Sequence, residues 1–154
     1  MSVVVSLKDV VDAMDFQSDH STTYLNRQTG EIAVVSDEDR HVAEKKGLND
    51  AHLSERQRAD VLRARAILYS ADFVPVPDKF EIHEWSIMER FSIRQINRAT
   101  RSELLDALHR RPAFRKFADA VRQLGIEHEW LAFREAALVD IAREWLDTNS
   151  IPYI

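Results

Sequence analysis

Along the chain, apolar residues recur first with a helical period, then with alternation, then with a helical period again through to the end. Leu7, Val10, Val11 and Met14 fall at offsets 0, 3, 4 and 7, one face of a short helix, and Ser6 with Asp9 forms a capping pair ahead of it. The pattern changes after this helix. Segments Ser21 to Asn26 and Glu31 to Val35 are rich in β-branched and aromatic residues, and Arg27-Gln28-Thr29-Gly30 joins them with a glycine able to take positive φ. These segments predict a β-hairpin. A hairpin alone is marginal in water, so Val3 to Val5 is expected to supply a third strand.

From Ser36 to Leu53 the chain turns polar, with Asp37, Glu38 and Asp39 placed for a helix start and Lys45, Lys46 and Gly47 for its end. The alternative is a polar connection over 37–53. Ser54 and Gln57 then cap a helix whose apolar face is read as Val61, Ala64 and Leu68 with Leu62, Ala66 and Tyr69. Pro75-Val76-Pro77 ends that stretch and reads as a linker, because neither proline can donate a backbone hydrogen bond.

Four more helical patterns follow the linker. Trp85, Ile87, Met88 and Phe91 mark the first; Thr100 and Glu103 form a capping box before Leu104, Leu105 and Leu108 in the second. Pro112 is expected as the first residue of the third, which carries Phe114, Phe117, Val121 and Leu124 and is capped by Gly125. The last runs from about Glu127 to Asp147 with Trp130, Phe133, Ala137, Ile141 and Trp145 on one stripe. The expected fold is therefore α+β: an N-terminal hairpin or small antiparallel sheet packed on a predominantly helical C-terminal part, forming one domain over 1–154. Its parts are helix plus hairpin over 1–36, the connection 37–53 and the helical part 54–154.

Composition narrows the chemistry. At 154 residues and 45% hydrophobic, the chain has enough apolar material for a core without staples, and with no cysteine it has neither disulfides nor thiolate metal sites nor a thiol nucleophile. Gly30, Gly47 and Gly125 lie too far apart for a phosphate-cradling glycine loop. No apolar run approaches the roughly 20 residues of a membrane span, and the N-terminus lacks a secretory leader pattern, so a cytoplasmic address without membrane contact is expected.

The six histidines show no metal-binding spacing; His83-Glu84 begins like a zincin motif, but Ile87 stands where the second histidine is required. No G-x-S-x-G elbow is present. Neither a metal nor a cofactor is expected.

Charge supplies the remaining candidates. The net charge of −5 hides two basic stretches, 54–70 with Arg56, Arg58, Arg63 and Arg65, and 99–124 with Arg110, Arg111, Arg115, Lys116 and Arg122. Around Pro112, free N–H groups of a helix start and Arg110, Arg111, Arg115 and Lys116 together suit an anion such as phosphate. The competing assignment pairs Arg115 internally with Glu84, Glu89 or Asp119. Trp85, Trp130 and Trp145 read as core anchors, with Trp85 kept as a candidate for partner contact.

Leu25-Asn26 followed by Thr29-Gly30-Glu31, then Pro75-Val76-Pro77, Trp85 with Met88-Glu89 and Phe91, and Ala113-Phe114-Arg115-Lys116-Phe117 with Asp119 form a recurring set, continued by Trp130, Phe133 and Glu144-Trp145-Leu146. On these pieces the chain resembles a bacterial family of uncharacterised proteins. Arg110-Arg111-Pro112 departs from it where glycines are usual. The resemblance implies an α+β domain and brings no reaction, cofactor or catalytic residue with it.

The leading expectation is a non-enzymatic binding or regulatory module for a protein partner or an anionic small ligand, with self-association through the hairpin edge as a further possibility. Two other readings stand beside it. A nucleic-acid accessory protein would touch phosphate through the two basic helices, which the net negative charge disfavours. A small enzyme would grip an anionic substrate with Arg115 and Lys116 and use Glu84 or Glu89 as general base.

Overall fold

A computed structural model describes residues 3–45 and 53–154. It is of the α+β class, in the order α1 (Leu7–Asp15), β1 (Ser21–Asn26), β2 (Ile32–Ser36), α2 (Asp37–Glu44), α3 (Glu55–Leu68), β3 (Phe73–Pro75), α4 (Lys79–Ile82), α5 (Glu84–Ile93), α6 (Arg98–Leu108), α7 (Ala113–Gln123) and α8 (Glu127–Thr148). The chain divides into two compact units, Met1–Asp78 with Ala142–Ile154, and Lys79–Ile141. The boundary falls just after the proline segment.

In the first unit the strands form an antiparallel sheet ordered β2-β1-β3. β1 is central, so Thr23, Tyr24 and Leu25 are all buried, whereas edge strand β2 alternates between buried Ala33 and Val35 and exposed Ile32 and Val34. The turn is set by Asn26, whose Oδ1 accepts from Gln28 N at 2.8 Å and Thr29 N at 3.1 Å, and by Gly30 at φ 78°. The third strand is Phe73–Pro75 rather than Val3 to Val5. Pro75 fits because β3 is an edge strand, where a missing N–H costs no ladder bond. Val5 instead makes an isolated parallel bridge to Tyr153, with Val5 N donating to Pro152 O at 3.0 Å.

Helix α1 starts as expected, with Ser6 Oγ accepting from Asp9 N, and buries Val10, Val11 and Met14. α2 takes the first part of the polar stretch, capped by Ser36 and with Asp37, Glu38 and Asp39 in its first turn; Lys46 and Gly47 lie outside the described residues. α3 carries the full Ser54/Gln57 capping box. Its buried face keeps the expected Val61 and Ala64 and adds Ile67, packed with Tyr24, Ala33, Val35 and Ala43; Leu68 is partly buried against this cluster, while Leu62, Ala66 and Tyr69 are exposed.

The second unit is built on rings. Phe91 of α5, Phe117 of α7 and Trp130 of α8 meet edge to face, with centroids 4.9 Å apart for Phe117–Trp130 and 5.4 Å for Phe91–Trp130, and Phe133 closes the group 5.4 Å from Phe91. Ile87, Leu104, Val121 and Leu138 are buried in the same unit. Two helix starts differ from expectation. α6 begins earlier than the Thr100/Glu103 box, with Asn97 Oδ1 accepting from Thr100 N at 3.0 Å, and Pro112 is the cap residue before α7 rather than its first helical residue. Phe114, expected in the core, is exposed.

Gly125 ends α7 at φ 70°, with Gly125 N donating to Arg122 O and Ile126 N to Val121 O, a Schellman closure. α8 begins in the second unit and ends in the first. Its fully buried residues Leu138, Ala142 and Leu146 sit one position on from the expected Ala137, Ile141 and Trp145.

Truncating the ring at the centre of the second unit should be costly. Phe91→Ala is expected to lower unfolding stability by about 3–5 kcal/mol, read from urea melts, and a loss below about 1 kcal/mol would contradict the packing described.

Candidate functional site

Of the four basic residues around Pro112, the fold brings two together. Arg110 and Lys116 border a cleft of about 240 Å³ between α6 and α7, whose lining also includes Glu103, Asp106 and Asp119. Arg110 is bonded to Asp106 at 2.6 Å, so the carboxylates outnumber the cations and one cation is already matched. That balance does not favour an anion. Arg111 and Arg115 are exposed and outside the cleft's lining.

Glu84 has another partner. It sits in the first turn of α5 and receives two bonds from Arg134 of α8, one from Nε to Oε1 and one from Nη2 to Oε2 at 3.2 Å, both side chains being less than a third exposed. A fork of this kind fixes the carboxylate and occupies it, as expected of a structural pair. Neither Glu84 nor Glu89 lines the cleft holding Arg110 and Lys116. The acid and the cations required for general-base chemistry on an anion are therefore not assembled there. Trp85 is half-buried, with Nε1 donating to Leu108 O at 3.4 Å and its ring against His109, which makes it a brace between α5 and the end of α6.

The basic helix α3 lies in the first unit, where Arg63 pairs with Glu31 at 2.7 Å. Among the described residues no cluster of three or more His, Asp or Glu could hold a metal, and no helix is long and apolar enough to cross a membrane.

A second concavity, which combines cations with apolar side chains, was missed by the sequence. Arg90, Ile93 and Arg94 at the end of α5 face Phe133, Ala136, Ala137 and Asp140 of α8 across a hollow of about 400 Å³. Each side has a local cause. Arg90 and Arg94 are four apart at a helix C-terminus, where the dipole favours cations, and Phe133, Ala136, Ala137 and Asp140 follow one helical face.

The Phe133 ring is held by Phe91 on one side, and the Arg94 guanidinium lies over it at 5.2 Å. Ile93 is 55% exposed, and Ile96, just beyond, is 100% exposed. The small Ala136 and Ala137 leave the space open. Such a surface can take an apolar side chain into the hollow and an acidic group on the flanking guanidiniums. The signal available in the sequence was the Arg90, Ile93, Arg94, Ile96, Arg98 alternation of cations and isoleucines. Glu81, Glu84 and Glu89 upstream offset that run in net charge, so it does not stand out as a basic stretch.

Comparison with known proteins finds no match among family models, curated proteins or solved structures.

The Glu84–Arg134 fork gives a direct prediction. Glu84→Ala removes a two-bond carboxylate partner of a largely covered guanidinium and should cost about 2 kcal/mol of unfolding stability. Replacing both by apolar residues, Glu84→Leu with Arg134→Met, should recover most of that loss. Urea melts of the single and double variants check this, and an unchanged single variant would contradict a structural role.

Proposed function

We propose that the protein is a non-enzymatic, cytoplasmic binding module that receives an acidic, apolar segment of a partner protein at the α5–α8 hollow. The observation that carries this reading is the placing of Arg90 and Arg94 beside Ile93 and Phe133 around open space, with an exposed isoleucine continuing the surface. A hollow of this volume suits a side chain of the partner, being near the low end of the roughly 300–1,000 Å³ of ligand sites. Guanidiniums at its rim suit carboxylates, and Arg94, lying over the Phe133 ring, is held there by its face with its N–H groups at the edge of the plane.

Asp140 within the same hollow offsets one of its two guanidiniums, which leaves a single net positive charge and suits one carboxylate beside an apolar side chain better than a phosphate-rich surface. The lack of cysteine agrees with a reducing compartment. The resemblance to a bacterial family brings no activity with it, so the reading stands on the hollow.

A dye-labelled peptide carrying Trp and Leu between Asp and Glu residues tests it by fluorescence polarisation. Binding is expected to the acidic peptide and not to the same peptide with Lys in place of the acids, and to weaken with added salt. Arg94→Ala and Ile93→Asp should each weaken it at least tenfold, about 1.4 kcal/mol, with the thermal midpoint close to that of the parent. Equal affinity for the two peptides, or for parent and variants, would overturn the proposal.

A further inference from the structure

Among the described residues, β2 pairs with β1 on one side and with no strand on the other. Asn26 N donates to Glu31 O at 2.8 Å at one end of the hairpin, and Asp37 N to His20 O at 2.9 Å at the other. With the register Tyr24↔Ala33 and Thr22↔Val35 between them, the alternation of an antiparallel ladder turns the backbone of Ala33 and Val35 toward β1. The N–H and C=O of Ile32 and Val34 therefore point away from the sheet. β1 obeys the same parity on its other side, where Val76 N donates to Thr23 O at 3.0 Å and Arg27 N to Asp72 O at 2.8 Å.

Native edges are usually blunted by a charge, a proline or a bulge. The other edge of this sheet has Pro75, but Ile32-Ala33-Val34-Val35-Ser36 has none of these devices. Its outward-facing residues are β-branched and exposed, Ile32 at 37% and Val34 at 61%. Val3 and Val4 are exposed too and line the same shallow groove as Ile32, which extends the apolar surface.

We propose that the occupant of this edge is a second copy of the chain, paired antiparallel with β2 about a two-fold axis at Ala33. In that register Ile32 lies opposite Val34 of the second copy, and Val34 opposite its Ile32, so the outward N–H and C=O groups meet in reciprocal hydrogen-bonded pairs. Ala33 faces Ala33 of the second copy, where small side chains permit close approach, and the two Ile–Val contacts form on one face. The isologous symmetry makes one patch complementary to itself.

Charge selects this register over its neighbour. With the axis at Ala33, Glu31 faces Val35 of the second copy and Asp37 faces its Thr29, whereas an axis at Val34 would set Glu31 against Asp37. The three-stranded sheet becomes one continuous sheet across the two chains.

Light scattering coupled to size exclusion, from micromolar to millimolar chain, tests the proposal. The mass is expected to climb from 17.8 kDa toward twice that value as concentration rises. Val34→Pro removes only an outward N–H, and Val34→Lys places a charge on the edge; each should weaken association at least tenfold with an unchanged circular dichroism spectrum. If Val34→Pro does not fold, Val34→Lys alone decides. A wild-type mass of 17.8 kDa throughout, or variants that associate like the wild type, would overturn the β2 edge as the interface.

Discussion

The edge-to-face contact of Phe91 with Trp130 and Phe117 is the interaction on which the second unit and its surface depend. Three helices, α5, α7 and α8, each give it one ring, and the rings fix the helices against one another more narrowly than aliphatic contacts would, because the favourable geometries are few. Phe133 extends the same group outward. Its ring packs against Phe91 and also carries the Arg94 guanidinium, so an interior contact bears on the position of a cation at the hollow. The hollow beside it is a consequence of ring size on α5 and α8 against alanine at 136 and 137.

Much of this order was legible. The Ser6 and Ser54 caps, the turn closed by Gly30 and the Gly125 stop are local chemistry, fixed within a few residues, and the chain uses them where expected. What escaped depends on partners distant in sequence. Phe73–Pro75 is too short and too proline-rich to declare itself as a strand; it becomes one because β1 offers a second edge. Val5 was expected in that place, but α8 ends in a Schellman turn with Ser150 at φ 56°, and the tail that follows reaches Val5 as its own pairing partner.

The same distinction governs the candidate site. Arg110 and Lys116 were correctly placed near one another, yet their meaning turned on Glu103, Asp106 and Asp119 lining the same cleft. An internal arginine partner for Glu84 was among the expectations, but with Arg115 in that place; Arg134, fifty positions away, supplies it. Arg90 and Arg94 carry no motif, and only the fold shows that they share a hollow with Phe133. General-base chemistry needs a free carboxylate within reach of the substrate's proton, and the Glu84 carboxylate is held in a guanidinium fork instead.

Backbone amide shifts in a nitrogen-15 NMR titration with the acidic Trp- and Leu-containing peptide distinguish the two basic surfaces of the second unit in one experiment. The perturbed amides are expected to cluster at Arg90, Ile93, Arg94 and Ile96 on one side and Phe133 to Ala137 on the other. Perturbations centred instead on Ala113 to Lys116 at the start of α7, with the α5–α8 hollow silent, would contradict binding at that hollow.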